Sequence, residues 1–208
     1  DSTTGAELAR TTVVAPVSTE MRCDNCHSDR GRGNEGIATG RVETNILTAH
    51  DEENGTHLMT SRPVLCASCH ASNALGTPGN GRVPNLSNAM HDKHSDEVPS
   101  TQAGCYNCHP GPQTLCLRDV MSQENGMTCT SCHGNMNTVA NNPNPWLNEP
   151  RCDTCHDSGE FQQNHALYRF STQHGGLYCS ACHDSPHAVA PSREANDALK
   201  DDLGFGDG

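Results

Sequence analysis

CDNCH (23–27), CASCH (66–70), CYNCH (105–109), CTSCH (129–133), CDTCH (152–156) and CSACH (179–183) are six copies of one five-residue pattern in a chain of 208 residues. We number them motifs 1 to 6 in chain order. Each copy has two cysteines separated by two residues and a histidine directly after the second cysteine. The spacing between copies is irregular, so the repeated motif does not predict a solenoid of equal units.

This pattern is typical of covalent haem attachment. Two cysteines at this separation form thioethers with the two vinyl groups of one haem, and the following histidine reaches its iron. Zinc binding and a disulfide framework are the alternatives for paired cysteines. Histidine makes up 13 of the 208 residues, so chance alone would place it after all six pairs less than about once in a million times.

The sequence therefore predicts six c-type haems. The predicted anchors are Cys23, Cys26, Cys66, Cys69, Cys105, Cys108, Cys129, Cys132, Cys152, Cys155, Cys179 and Cys182. The predicted first axial ligands are His27, His70, His109, His133, His156 and His183.

The composition is poor in the residues that form a hydrophobic core. Leu, Ile, Val and Phe together number 28, and the net charge is -12, a combination usually found in disordered chains. Six large apolar haems would supply the buried surface that these side chains cannot. We expect mostly coil with short α-helices and little or no β-structure, packed around haems as in a multihaem cytochrome c.

The chain is predicted to form a single domain over residues 1–208. It divides into a polar N-terminal arm (1–22), a haem-binding region (23–187) and an acidic C-terminal tail (188–208). Short helices are predicted near residues 88–94, 113–123 and 192–203. No stretch approaches the roughly 18 apolar residues of a membrane span, and 25 acidic against 13 basic residues disfavour nucleic acid as a partner.

Seven histidines lie outside the motifs, close to the number that six irons need as second axial ligands. We predict that six of them are ligands: His50, His57, His91, His94, His174 and His187. His91 and His94 are three residues apart, so a helix would let them serve two neighbouring haems. His50 and His57 are assigned to a long loop between motifs 1 and 2, and His165 is the predicted spare, with His57 the next candidate.

Two further residue types need an assignment. Six methionines are available as axial ligands, but the histidine count makes them unnecessary. Cys116 is the thirteenth cysteine and belongs to no motif; it is interpreted as a buried thiol, with a disulfide to another chain as the alternative.

The stretches PVLCASCH (63–70), AMHDKH (89–94), CYNCHPGPQTLC (105–116) and HGGLYCSACHDSPHA (174–188) resemble those of exported multihaem c-type cytochromes of metal-reducing and other respiratory prokaryotes. These include relatives of the outer-surface cytochromes that polymerise into conducting filaments. The resemblance implies export, haem attachment outside the cytoplasm, two-histidine ligation and closely stacked haems. In filament-forming relatives electrons pass between subunits, and some subunits supply an axial histidine to the next.

The predicted function is electron transfer along the haems, without catalysis. Expected partners are other redox proteins, extracellular electron acceptors or neighbouring subunits of a homopolymer, at the cell surface or beyond it. A soluble periplasmic shuttle is one alternative. A multihaem reductase is another, but it needs an open axial position, and all six motifs end in histidine.

Overall fold

Short helices and single turns, joined by irregular segments, make up the computed structural model. It describes residues 21–34, 36–72, 75–109, 111, 120–145, 148–156, 162–183 and 186–187. The α-helices are α1 (Asp24–His27), α2 (Val42–Asn54), α3 (Leu86–His94), α4 (Gln102–Cys105), α5 (Cys129–His133) and α6 (Met136–Ala140). The remaining helical turns are Arg32–Asn34, Leu58–Thr60, Cys66–Ser68, Val120–Glu124, Cys152–Thr154, Tyr168–Phe170 and Cys179–Ala181.

The β-structure of the described residues is small. Strands β1 (Thr172–Gln173) and β2 (Leu177–Tyr178) form one antiparallel hairpin, in which Thr172 pairs with Tyr178 and Gln173 with Leu177. A single bridge also joins Ser72 to Thr77. The predicted class of coil with short helices and little β is confirmed at this level.

The longest helix, α2, contradicts the assignment of His50 to a loop. No glycine or proline interrupts Val42–Asn54, and Gly55 ends the helix in the left-handed conformation, with a φ of 61° that glycine adopts readily. The helix buries Thr44 and Asn45. Its buried residues are polar, so the sequence lacks the apolar stripe from which a helix is usually predicted.

Asn45 attaches α2 to motif 1. Its side chain is fully buried, and its amide nitrogen donates to His27 O at 2.9 Å and to Asp29 Oδ1 at 3.0 Å. Its carbonyl oxygen accepts from the backbone nitrogen and the hydroxyl of Thr39, at 2.8 and 2.7 Å. A single polar side chain therefore satisfies four partners and orients the helix that carries His50.

Helix α3 confirms the predicted helix near residues 88–94. The Asn85 side chain caps it by accepting from the backbone nitrogen of Asn88 at 2.9 Å. The Asn88 amide donates to Ala140 O and, at 3.0 Å, to Asn142 O, which holds α3 against α6. An exposed ion pair of 2.8 Å between Lys93 and Glu53 links α3 to α2.

The polypeptide provides little apolar core of its own. Among the described residues the buried hydrophobic ones are Ala67, Val98, Ala140 and Tyr168, and the largest fully buried side chains are the polar Asn45 and Ser171. The exposed large hydrophobic residues flank motif 2 or motif 6: Leu65, Leu75, Val83, Phe170, Leu177 and Tyr178. Directional hydrogen bonds carry much of the organisation that a hydrophobic core usually supplies.

Several expectations lie outside the described residues. These are the arm over residues 1–20, the tail over 188–208, the helix near 192–203, Cys116 and most of the helix near 113–123, of which the turn Val120–Glu124 is described. Within the described part of the chain no helix has the length and apolar character needed to cross a membrane.

We predict that Asn45→Ala lowers the free energy of unfolding of the mature protein by about 2 to 3 kcal/mol, because it leaves buried partners unsatisfied. Chemical denaturation measures the effect. Asn54→Ala, at the exposed end of the same helix, is the matched control and should cost less than about 0.5 kcal/mol. Equal losses in the two variants would show that Asn45 does not hold α2 in place.

Candidate cofactor-binding sites

Each of the six motifs winds into one helical turn. Motif 4 is helix α5, and in the other five motifs the histidine nitrogen donates to the carbonyl of the first cysteine at 2.8 to 3.0 Å. Residues at positions i, i+3 and i+4 of such a turn share one face. The local fold therefore presents both thiols and the imidazole of each motif on the same side of the backbone.

The motif cysteines are free thiols in the described structure. Burial raises the pKa of Cys23, Cys108, Cys132 and Cys152 above the usual thiol value. The described residues contain no cluster of three or more Cys, His, Asp or Glu side chains suited to a metal ion, whereas a structural zinc site uses four protein ligands.

Four motif histidines each face a histidine from outside the motifs. Their ring centres are 5.7 to 6.4 Å apart, and two pairs are nearly perpendicular while two are nearly parallel. The pairs are His27 with His94 (6.2 Å, 88°), His70 with His50 (6.4 Å, 85°), His109 with His91 (5.9 Å, 19°) and His133 with His187 (5.7 Å, 22°). We call a motif together with its facing histidine a site, numbered as the motif.

These separations fit a metal ion bound between two imidazoles. Two metal–nitrogen bonds of about 2.0 Å place the ligating nitrogens about 4 Å apart and the ring centres about 6 Å apart. In site 4 the Nε2 atoms of His133 and His187 lie 3.5 Å from each other. The residues therefore fit an iron with two axial histidines, and each such pair stands beside two thiols able to hold a porphyrin.

Hydrogen bonds at Nδ1 set the ring tautomers. His91 Nδ1 donates to Ser87 O and His94 Nδ1 to Met90 O, both at 2.7 Å, and His70 Nδ1 donates to Pro84 O at 2.8 Å. A carbonyl oxygen only accepts, so the proton is on Nδ1 and the lone pair on Nε2 remains available to a metal.

His50 reaches the same tautomer through a side-chain relay. The Thr56 hydroxyl donates to Asp51 Oδ1 at 2.6 Å, so its oxygen accepts from His50 Nδ1 at 2.9 Å. The Asp51 carboxylate also accepts from the backbone nitrogens of Leu58 and Met59, at 2.7 and 2.9 Å. The relay places a carboxylate one hydroxyl away from the imidazole that faces motif 2.

His165, the predicted spare, has the opposite tautomer. Its Nδ1 accepts from the backbone nitrogen of Leu167 at 3.0 Å, so the neutral ring carries its proton on Nε2. Its ring packs edge-on against Phe170, with centres 5.3 Å apart. Both contacts join His165 to neighbouring residues of its own segment and not to a motif.

Burial also favours neutral imidazoles in the middle of the molecule. It lowers the pKa of His91 and of His133, and the charge of a neighbouring histidine lowers each further. Neutral imidazole is the form that ligates a metal. The neighbour of His91 is His94, on the same helix, and the neighbour of His133 is His91.

Helix α3 carries two of the four facing histidines. His91 faces motif 3 and His94 faces motif 1, one helical turn apart on the same helix. His50 and His187 face motifs 2 and 4. Four of the six predicted second ligands are thus brought to a motif histidine.

The structure does not bring the other two predicted ligands to a motif. Within the described residues, His57 and His174 form no ring pair with a motif histidine, and neither do the motif histidines His156 and His183. His174 is exposed in the turn between β1 and β2, with a φ of 51°. The assignment of His57 and His174 stays a prediction.

Sequence reasoning missed the polar residues that hold the motifs. Asn45 binds the backbone of motif 1, and the buried Gln163 accepts from the backbone nitrogen of Cys152 at 3.1 Å while donating to His165 O at 2.9 Å. In a chain this rich in polar residues, no sequence pattern identifies which single Asn or Gln is buried and hydrogen-bonded to a motif. Only the hydrogen-bond partners distinguish these residues from exposed neighbours such as Gln162.

Comparison with models of protein families, with curated proteins and with solved structures found no match for this chain. The likeness to multihaem cytochromes therefore rests on the motifs and stretches quoted above.

Proposed function

We propose that this chain is a hexahaem c-type cytochrome that transfers electrons and catalyses no reaction. The observation that carries the proposal is that four motif histidines face non-motif histidines at 5.7 to 6.4 Å, the separation that an iron between two imidazoles requires. Zinc sites and disulfides give no reason for such pairs.

The small apolar core supports the same proposal. A chain whose largest fully buried side chains are Asn45 and Ser171 gains little free energy from its own hydrophobic burial. Covalent porphyrins would add apolar surface at six points along the chain. The same group would then contribute to stability as well as to function.

Each set of residues has a defined role in this proposal. The twelve motif cysteines would fix six porphyrins to the backbone, the motif histidines would be the first ligands, and His94, His50, His91 and His187 would be the second ligands of sites 1 to 4. A haem held by these residues would supply one-electron transfer between the ferric and ferrous states. Hydrogen bonds at Nδ1 orient the ligating rings and tune the electron density at Nε2.

We place the protein outside the cytoplasm, in extracellular respiratory electron transport, and favour a subunit of a homopolymer over a soluble periplasmic shuttle. The resemblance to exported cytochromes and the sparse core support this assignment. Electron microscopy of the native material distinguishes the two assemblies: filaments support the polymer, and uniformly monomeric particles contradict it.

Haem content is the first test. A haem stain under denaturing conditions, combined with a pyridine haemochrome assay, should give six haems per chain. Cys66→Ala/Cys69→Ala should lose one haem, because it removes both anchors of motif 2, whereas Cys116→Ala should retain all six. A colourless protein with zinc at the motif thiols, or with the thiols joined as disulfides, would refute the proposal.

The second ligands are tested by spin state. His94→Ala should leave six haems attached and convert one of them to the high-spin form, because site 1 loses one strong-field ligand. His165→Ala is the matched control and should leave the spectrum low-spin, since its ring has the non-ligating tautomer. Electron paramagnetic resonance of the oxidised protein separates the two outcomes, and an equal change in both variants would contradict the assignment of His94.

The relay at site 2 predicts a tuning effect. Thr56→Val removes the acceptor of His50 Nδ1, which lowers the basicity of the imidazole and should raise the reduction potential of one haem. Thr56→Ser keeps the hydroxyl and should keep the potential. A spectroscopic redox titration makes the measurement, and identical titration curves for all three proteins would show that Thr56 does not act on the site.

The reductase alternative is tested at motifs 5 and 6, whose histidines His156 and His183 lie in no ring pair within the described residues. An enzyme needs an iron with an open axial position. A high-spin signal in the wild-type protein, together with a visible spectrum that changes on addition of nitrite, would favour the reductase.

A further inference from the structure

The contacts between motifs show which of them are neighbours, beginning with motifs 1 and 3. The backbone nitrogen of Arg22, beside motif 1, donates to Cys108 O at 2.9 Å. Within the motifs, the Asn25 side-chain amide donates to Asn107 O, also at 2.9 Å. Helix α3 joins the same two sites, because His94 faces motif 1 and His91 faces motif 3. Motifs 1 and 3 are in direct contact, although motif 2 lies between them in the sequence.

Motif 3 in turn contacts motif 4. The Gln102 side chain, at the start of the helix that ends at Cys105, accepts from the backbone nitrogen of Cys129 at 3.1 Å and from its thiol at 3.8 Å. A hydrogen bond with Cys129, together with burial, raises the pKa of the Cys105 thiol. Helices α4 and α5 therefore place the thiols of the two motifs side by side.

Motif 2 adjoins motif 1 through helix α2. Asn45 of this helix binds His27 O, and His50 one turn further along faces His70 of motif 2. Ala71, directly after motif 2, accepts from the backbone nitrogen of Leu86 at 2.9 Å, at the end of α3 remote from His94. Motif 2 therefore borders the pair formed by motifs 1 and 3 and does not separate them.

Motifs 5 and 6 are joined to each other by a polar network. Gln163, which binds the backbone nitrogen of Cys152, donates to His165 O, and the same carbonyl accepts from the Ser171 hydroxyl at 3.2 Å. Ser171 O accepts from the backbone nitrogen of Cys179 at 3.0 Å. His187, four residues after motif 6, faces His133 of motif 4 with their Nε2 atoms 3.5 Å apart, so the joined pair of motifs 5 and 6 adjoins motif 4.

We propose that the attachment motifs lie in the spatial order 2–1–3–4, with the joined pair of motifs 5 and 6 following motif 4. Site 2, not site 1, then stands at the end of the series. This inference rests on the proposed function, because the spatial order of the motifs is an electron path only if each motif carries a haem. An electron moving from site 2 to site 4 passes sites 1 and 3, and α3 supplies a ligand to both.

The test gives the haem of site 3 a distinguishable spectrum and then removes the haem of motif 1 or of motif 2 in separate variants. His91→Met changes the axial ligand of site 3 and gives it a distinct spectrum and a raised potential. In this background, Cys23→Ala/Cys26→Ala removes the haem of motif 1 and Cys66→Ala/Cys69→Ala removes that of motif 2. A ferric neighbour raises the potential of the marked site through its charge, and this effect weakens with distance.

We expect the loss of site 1 to lower the potential of marked site 3 by about twice as much as the loss of site 2. Equal shifts, or a larger shift on the loss of site 2, would overturn the order 2–1–3. Should a variant fail to mature, the iron positions in the wild-type protein, located by anomalous X-ray scattering and traced to their motifs, decide the same question. Protein without haem refutes the proposed function, whereas six haems in another order refute this inference alone.

Discussion

The facing of two imidazole rings across about 6 Å is the contact on which the proposed haem sites depend. Two imidazoles at this distance exchange little energy by themselves, whereas ligation to one metal ion ties their two chain segments together directly. Each pair joins a motif turn to a second segment of the chain, which is distant in the sequence for His27 and His94. Helices α2 and α3 are positioned to make these pairs.

Polar side chains do the work that apolar ones do in most small domains. Asn45, Asn88 and Gln163 each bind backbone groups of a separate segment, and each replaces a contact that packing alone would leave loosely oriented. A hydrogen bond fixes direction as well as distance. In the proposed cytochrome this precision would matter, because a ligand ring that is displaced slightly would no longer point its nitrogen at the iron.

The sequence predicts the local structure better than the long-range pairing. The six motifs and helix α3 follow from residue spacing, since i, i+3 and i+4 positions define one face of a helical turn. Helix α2 was wrongly assigned to a loop because Thr44 and Asn45 face inward, which reverses the usual polarity of a helix. The facing of His50 and motif 2 instead depends on tertiary hydrogen bonds, which no local pattern encodes.

The number of residues between the two histidines of a pair determines the entropic cost of bringing their rings together. His50 with His70, and His91 with His109, close short loops, and a short loop loses less conformational entropy when it closes than a long one. The pairs His27–His94 and His133–His187 close longer loops, and His187 lies near the end of the described chain. A polypeptide truncated after motif 6 but before His187 would keep the other three ring pairs and leave His133 without its facing histidine.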